Sequence, residues 1–139
     1  MTAAVKGIGT TFGVGDAASP EVFTTIAEIL TISGPNISAE EIEVTNLDSP
    51  NEFKEYISGL KDGGTIDIEV NWIKDAGQVS LRDDIVAGTK RNYELVFPTS
   101  PETTAVFNGL PLTMGFSADP ASQVTASISI RISGAIVWS

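Results

Sequence analysis

The 139-residue chain contains no cysteine and no histidine. The first absence excludes disulfides, thiolate metal sites and cysteine nucleophiles, and leaves stability to packing. The second removes the commonest general base and the commonest transition-metal ligand, which argues against a hydrolase triad or a zinc centre. Cations are scarce as well: 8 Lys and Arg stand against 18 Asp and Glu, a formal charge of −10. Tight binding to phosphate backbones needs clustered cations, so nucleic acid should be repelled rather than held. No stretch approaches the ~20 apolar residues of a membrane-spanning helix. The start, Met1 to Gly7, has one early lysine and no apolar segment behind it, which reads as a cytoplasmic protein without a secretory signal.

What is present is β-forming. Short aliphatic runs are punctuated by Gly, Pro, Asn, Asp and Ser. Residues 65–72 alternate strictly, with Ile66, Ile68, Val70 and Trp72 on one side and Thr65, Asp67, Glu69 and Asn71 on the other, a half-buried antiparallel strand with one wet face. Residues 41–45 repeat the pattern, which predicts Ile42 and Val44 inward and Glu41 and Glu43 outward. Residues 124–133 do so again, with Ala126, Ile128, Ile130 and Ile132 inward against Thr125, Ser127, Ser129 and Arg131. Further strands are expected at 22–32, 92–97, 105–108 and 112–116. A helix is expected over 76–88, with Ser80 and Asp83 at capping-box spacing and Gly88 as its stop. Between Asp48 and Gly64 the pattern suggests a loop with a turn of helix through Phe53, Tyr56 and Ile57. Residues 1–20, with four glycines, read as an N-terminal arm anchored by Phe12, and residues 135–139 as an apolar C-terminal tail ending in Trp138 and Ser139. The expected architecture is a single domain, mainly β: a β-sandwich or barrel-like fold with one flanking helix and extended terminal arms.

No catalytic, cofactor or metal site is expected. The carboxylate groups Glu40-Glu41-Glu43, Asp67 with Glu69, and Asp83-Asp84 fit wet strand faces and a first helical turn better than a cation site, since no calcium-loop spacing is present. The pairs Gly7-x-Gly9 and Gly13-x-Gly15 lack the residues of a phosphate loop. Trp72 falls on the apolar side of its strand and is expected in the core.

Three segments in order carry a family resemblance: Ile32-Ser33-Gly34-Pro35, then Glu41-Ile42-Glu43-Val44-Thr45-Asn46-Leu47, then Phe53 to Gly64 leading into Val70-Asn71-Trp72. The sequence resembles the tail tube proteins of long, flexible-tailed phages over most of residues 22–137. The densest part is Tyr56-Ile57-Ser58-Gly59-Leu60-Lys61-Asp62-Gly63-Gly64. The resemblance implies hexameric rings stacked into a tube, kinship of fold with type VI secretion tubes, and residence in the virion after assembly in the host cytoplasm. It also implies a tape measure protein in the lumen, tail terminator and distal tail proteins at the ends, and DNA passing without specific binding. On this reading Thr65, Asp67, Glu69, Asn71, Ser127 and Ser129 line the lumen, while Phe12, Phe53, Tyr56 and Trp138 make contacts between subunits. The alternatives are a tube subunit of a secretion or tailocin-like particle, and a monomeric β-sandwich module that binds a glycan through an exposed aromatic.

Overall fold

The computed structural model describes residues 6–16 and 20–139. Strands in chain order are β1 (Thr11–Gly15), β2 (Phe23–Thr25), β3 (Ile29–Ser33), β4 (Ser38–Glu43), β5 (Tyr56–Asp62), β6 (Thr65–Asn71), β7 (Arg91–Phe97), β8 (Thr103–Ser117) and β9 (Thr125–Trp138), with the helix α1 (Ala76–Ala87) between β6 and β7. Seven of them form one antiparallel sheet in the order β2-β1-β7-β8-β9-β6-β3, while β4 and β5 pair separately as a hairpin. The fold is mainly β.

Alternation dictates the core. Ile66, Ile68 and Val70 of β6 and Ala126, Ile128, Ile130 and Ile132 of β9 are buried, and the paired register sets Ile66 against Ile130 and Ile68 against Ile128. The other half of the sheet supplies Phe12, Val14, Tyr93, Leu95 and Phe107. Edge strands β2 and β3 are joined by residues 26–28 alone, and a link this short spans at most ~13 Å. The sheet's two ends are therefore drawn together, and the sheet curls around its core like an incompletely closed barrel.

Several expectations need correction. The run 22–32 is two strands: Glu28, at φ 59°, breaks it, and buried Ile26 turns into the core. The arm assigned to residues 1–20 is in part a strand of the main sheet, because β1 pairs with both β2 and β7. Its remaining residues 1–5 and 17–19 lie outside the described ones. The helix is capped by Asp75 and Gln78, not by Ser80 and Asp83. Gly88, at φ 72°, ends it in the left-handed conformation that glycine adopts without strain. The helical turn expected through Tyr56 and Ile57 is instead β5, and only Pro50–Glu52 forms a short 3-10 turn. The segments 105–108 and 112–116 are one strand, and β9 runs on through the supposed tail. Gly134, at φ 86°, takes up a bend within β9, after which Trp138 pairs with Ala105 and Ser139 exchanges backbone hydrogen bonds with Thr104. The C-terminal tail is thus part of the sheet.

A buried amide holds the closure. Gln78 is fully buried; its Nε2 donates to the carbonyls of Ala27 (3.1 Å) and Asn71 (2.9 Å), and its Oε1 accepts from the amides of Ile73 (3.1 Å) and Asp75 (3.4 Å). One side chain ties the start of α1 to the β2–β3 link and to the end of β6. Farther along α1, Asp84 is buried and ion-paired with Arg91 of β7.

Candidate functional site

The outer face of β3, β6, β9 and β8 is a continuous polar surface. Register sets Asp67 against Ser129 and Ser33, Glu69 against Ser127 and Thr31, and Asn71 against Thr125. On the far side of β9, Thr113 faces Ser129 and Gly115 faces Ser127. All six residues assigned to a lumen, Thr65, Asp67, Glu69, Asn71, Ser127 and Ser129, therefore lie on one wall, and four of them line a single shallow depression with Thr31, Ser33 and Thr113. The cation on this wall, Arg131, donates to Asp62, so the wall presents no unpaired cation among these strands. The Gly64 amide and the Arg131 guanidinium hold the Asp62 carboxyl below its ordinary range. At the other end of β6, Asn71 Nδ2 donates to Glu28 Oε2 at 2.9 Å.

Two strand edges flank this wall. Residues 103–109 of β8 pair with β7, but from Leu110 to Ser117 β8 is bonded to β9 alone. On the other flank, β3 is bonded, among the described residues, to β6 alone. Such edges are ready templates for another strand.

The hairpin β4–β5 is amphipathic and, among the described residues, meets the main sheet only at its base, where Asp62 of β5 joins Arg131 of β9. Ile42 stands opposite Ile57, and the next face carries Glu41, Glu43 and Tyr56. All six residues of β4 are exposed, as are Leu47, Phe53 (72%) and Leu60 (83%). The expectation that Ile42 and Val44 face inward is overturned: the alternation is real, but no core of this chain lies beneath it. A lone two-stranded hairpin is marginal in water, and an apolar surface of this extent marks an interaction site.

Of the residues assigned to contacts between subunits, Phe53 and Tyr56 stand exposed on the hairpin and Trp138 is half-exposed at the end of β9. Phe12 is a correction: it is wholly buried and stacked on Tyr93 at 5.4 Å between ring centroids, where no neighbour reaches it. Glu40, Glu41 and Glu43 lie on the hairpin. Asp83 and Asp84 sit beyond the first helical turn, and Asp84 is a buried ion-pair partner rather than a solvated charge. Trp72 is partly buried and meets Phe116 edge-on at 5.0 Å.

Sequence reasoning missed a second apolar area, which runs along β8 from Leu112, level with Ile66 and Asp67 of β6, to Phe116, level with Val70. There Ile73, Val86, Leu112, Phe116 and Val124 are exposed together. Alternation gives no signal for it, because its members come from a turn, a helix, the second half of β8 with its irregularity between Pro111 and Thr113, and the residue before β9.

Among curated proteins none matches the chain. Solved structures share its fold. One is from the virion of a native gene transfer agent particle, 14% identical, covering 98% of this chain and 99% of that one at a TM-score of 0.76. Another is the SPP1 tail tube, 15% identical, covering 97% and 78% at 0.71. A third, from the sheath-tube complex of an extracellular contractile injection system, is 14% identical and covers 98% and 91% at 0.70. The model of the lambda phage tail tube protein family matches residues 6–139, so the chain belongs to that family, whose members are the structural subunits of tail tubes.

Proposed function

We propose that six copies close into a ring through the free edge of β8 and the β3 edge of the next copy, with the wall β3-β6-β9-β8 lining the lumen. The carrying observation is directional. β8, β9, β6 and β3 are successively antiparallel, so β3 runs opposite to β8. A rotational repeat therefore brings β8 of one copy antiparallel to β3 of its neighbour, and the alternation continues around the ring. A gene transfer agent tail with this fold was refined with C6 symmetry. Four strands from each of six copies, at ~4.8 Å per strand, give a circumference of about 115 Å and a backbone diameter of about 37 Å, which strand tilt would widen. Side chains take up about half of the ~10 Å sheet spacing on each side, leaving roughly 25 Å. A pore of this width is of the scale that a DNA duplex needs to pass.

Asp67 and Glu69 then face the passing phosphates, and the Ser and Thr residues between them offer no charge to hold DNA. At a Debye length of about 8 Å the wall acts only on a duplex that approaches it. During assembly the same lumen holds a tape measure protein, and terminator and distal tail proteins close the ends. The apolar hairpin, uncovered in the free subunit, joins one ring to the next, and the subunit performs no catalysis. The likeness to contractile injection system tubes supports a second reading, a tube of a particle without a genome; the lambda-type family match favours the phage tail.

The test changes Asp67 and Glu69 together to Lys. Tubes should assemble while DNA ejection slows, more so at low ionic strength. Intact tubes with unchanged ejection would place these residues on the outer wall.

A further inference from the structure

The hairpin and the edge of the main sheet are one interrupted ribbon. β3 pairs with β6 as far as Ser33↔Asp67, and β4 pairs with β5 from Ser38↔Asp62. Four residues lie between these pairs on each leg, 34–37 on one and 63–66 on the other, so the two ladders share a single register. The interruption inserts nothing and removes nothing. It turns the ribbon, through Gly34 at φ 110° and Gly64 at φ 76°.

The turn is closely built. A Cβ at Gly34 would stand 2.5 Å from the carbonyl oxygen of Thr65, and one at Gly64 would overlap the carbonyl oxygen of Asn36. Glycine alone lets the legs approach this far and takes up both φ values without strain. Backbone groups released from the ladder find other partners there. The Gly64 amide donates to Asp62 Oδ1 (2.8 Å), and the Gly64 carbonyl accepts from the Ile132 amide of β9 (3.0 Å). Asp62 Oδ2 accepts from the Arg131 guanidinium. One carboxylate therefore ties the end of β5 both to the turn and to β9.

Resting on the reading of the hairpin as a link between rings, we infer that this elbow sets the hairpin's direction in the free subunit, with Asp62 and Arg131 as positioning residues for stacking. Among the described residues the hairpin meets the main sheet only at its base, so its direction is decided there. A link that swung freely would have to be ordered whenever a ring is added, and fixing one backbone residue costs roughly a factor of 10 in affinity. A set elbow removes that cost before assembly begins. An exposed ion pair contributes little to the stability of a fold. Placed across a bend, the same pair holds an angle.

A chain without cysteine accepts labels at chosen sites. Spin labels on E41C in the hairpin and E102C before β8 should give one narrow distance in the free subunit, and the same distance in labelled subunits diluted into tubes. A broad distribution that narrows only on assembly would overturn the inference. D62A/R131A removes the latch without leaving a bare cation on the polar wall. It should keep a thermal midpoint near the parent's, broaden the distance, and raise the concentration needed for assembly at least ~10-fold. G64A, which forces the legs apart at the turn, should broaden the distance as well. Unchanged distances in both variants, or a broadened distance with unaltered assembly, would overturn the elbow as a positioning device. The link is tested separately by L47S/F53S, which leaves the elbow intact and should keep the narrow distance while losing assembly. Normal tubes from L47S/F53S would instead sink the reading of the hairpin as that link.

Discussion

Replacing Gln78 by Leu tests whether one buried amide holds the curl of the sheet. Its four hydrogen bonds go to backbone groups of three separate segments, and leucine of similar size can make none of them. The contact with the Asp75 amide, at 3.4 Å, is long, and that group sits where water can replace the partner, so the estimate counts three bonds. A net hydrogen bond contributes about 1 kcal/mol, and a buried carbonyl or amide left unpaired costs about 1–3 kcal/mol. Added apolar burial by leucine offsets part of this, giving a loss of about 3 kcal/mol. For a domain of this length, between the small and mid-size classes, 1 kcal/mol corresponds to a shift of about 3–5 °C, so the midpoint should fall by about 10–15 °C. The assay is thermal unfolding followed by circular dichroism, at a concentration below that of tube assembly. Asp75→Ala, which removes the helix cap, should cost about 1–2 kcal/mol, and Ser80→Ala well under 1 kcal/mol. A Q78L midpoint within 3 °C of the parent, or an S80A loss as large as that of Q78L, would refute the idea that this amide joins the three segments.

Other expectations concern single ionisable groups. Asp62 has its carboxyl lowered by the Gly64 amide and the Arg131 guanidinium, so its contribution is present above the unfolded value of 3.8 and is lost as pH falls through the lower folded value. D62N should therefore be less stable than the parent at pH 7, with the gap closing on acid titration; a gap that persists in strong acid would show that the cause is not this ionisation. Tyr93 is buried with no partner for its hydroxyl among the described residues, and burial, followed by the charge of Asp84, pushes its pKa up from 10.0. A raised folded pKa means stability is lost as pH rises past the unfolded value. Y93F should match the parent within about 1 kcal/mol at pH 7, since the hydroxyl makes no bond to lose, and should resist alkaline unfolding better. Equal alkaline profiles would refute this. Substituting Asp67 and Glu69 together by Lys, the test of the proposed lumen, completes the set.

Strands with two differently solvated faces were legible because alternation reports burial directly. β6 and the first half of β9 obey it residue by residue, and the polar wall follows from their wet positions. The second half of β9 was not legible: Gly134 and the exposed residues after it break the period, and only pairing with Ala105 and Val106 reveals a strand. The N-terminal glycines concealed β1 in the same way. Gly13 and Gly15 depress strand propensity, yet a Cβ at Gly13 would stand 3.0 Å from the Cβ of Phe23, a tight approach set by a partner ten residues away. One consequence is practical, for deleting residues 2–12 to probe an arm would remove Phe12 from the core and test folding instead of assembly. The capping signal was present in Asp75-Ala76-Gly77-Gln78 but competed with a second one at Ser80, and spacing alone does not rank two caps a turn and a half apart.

The hairpin is the instructive failure. Alternation in 41–45 says that one face is buried, and a reading confined to one chain assigns that face to the chain's own core. Burial is a property of the state in which the sequence works, however, and the periodicity carries no label for which molecule supplies the cover. Ile42, Val44 and Ile57 keep the signature of buried residues while the free subunit leaves them in water. A strand pattern that the monomer fails to satisfy is therefore evidence in its own right. On the proposed reading of the hairpin as a link between rings, the missing core forms between subunits, and the alternation in 41–45 belongs to the assembled tube.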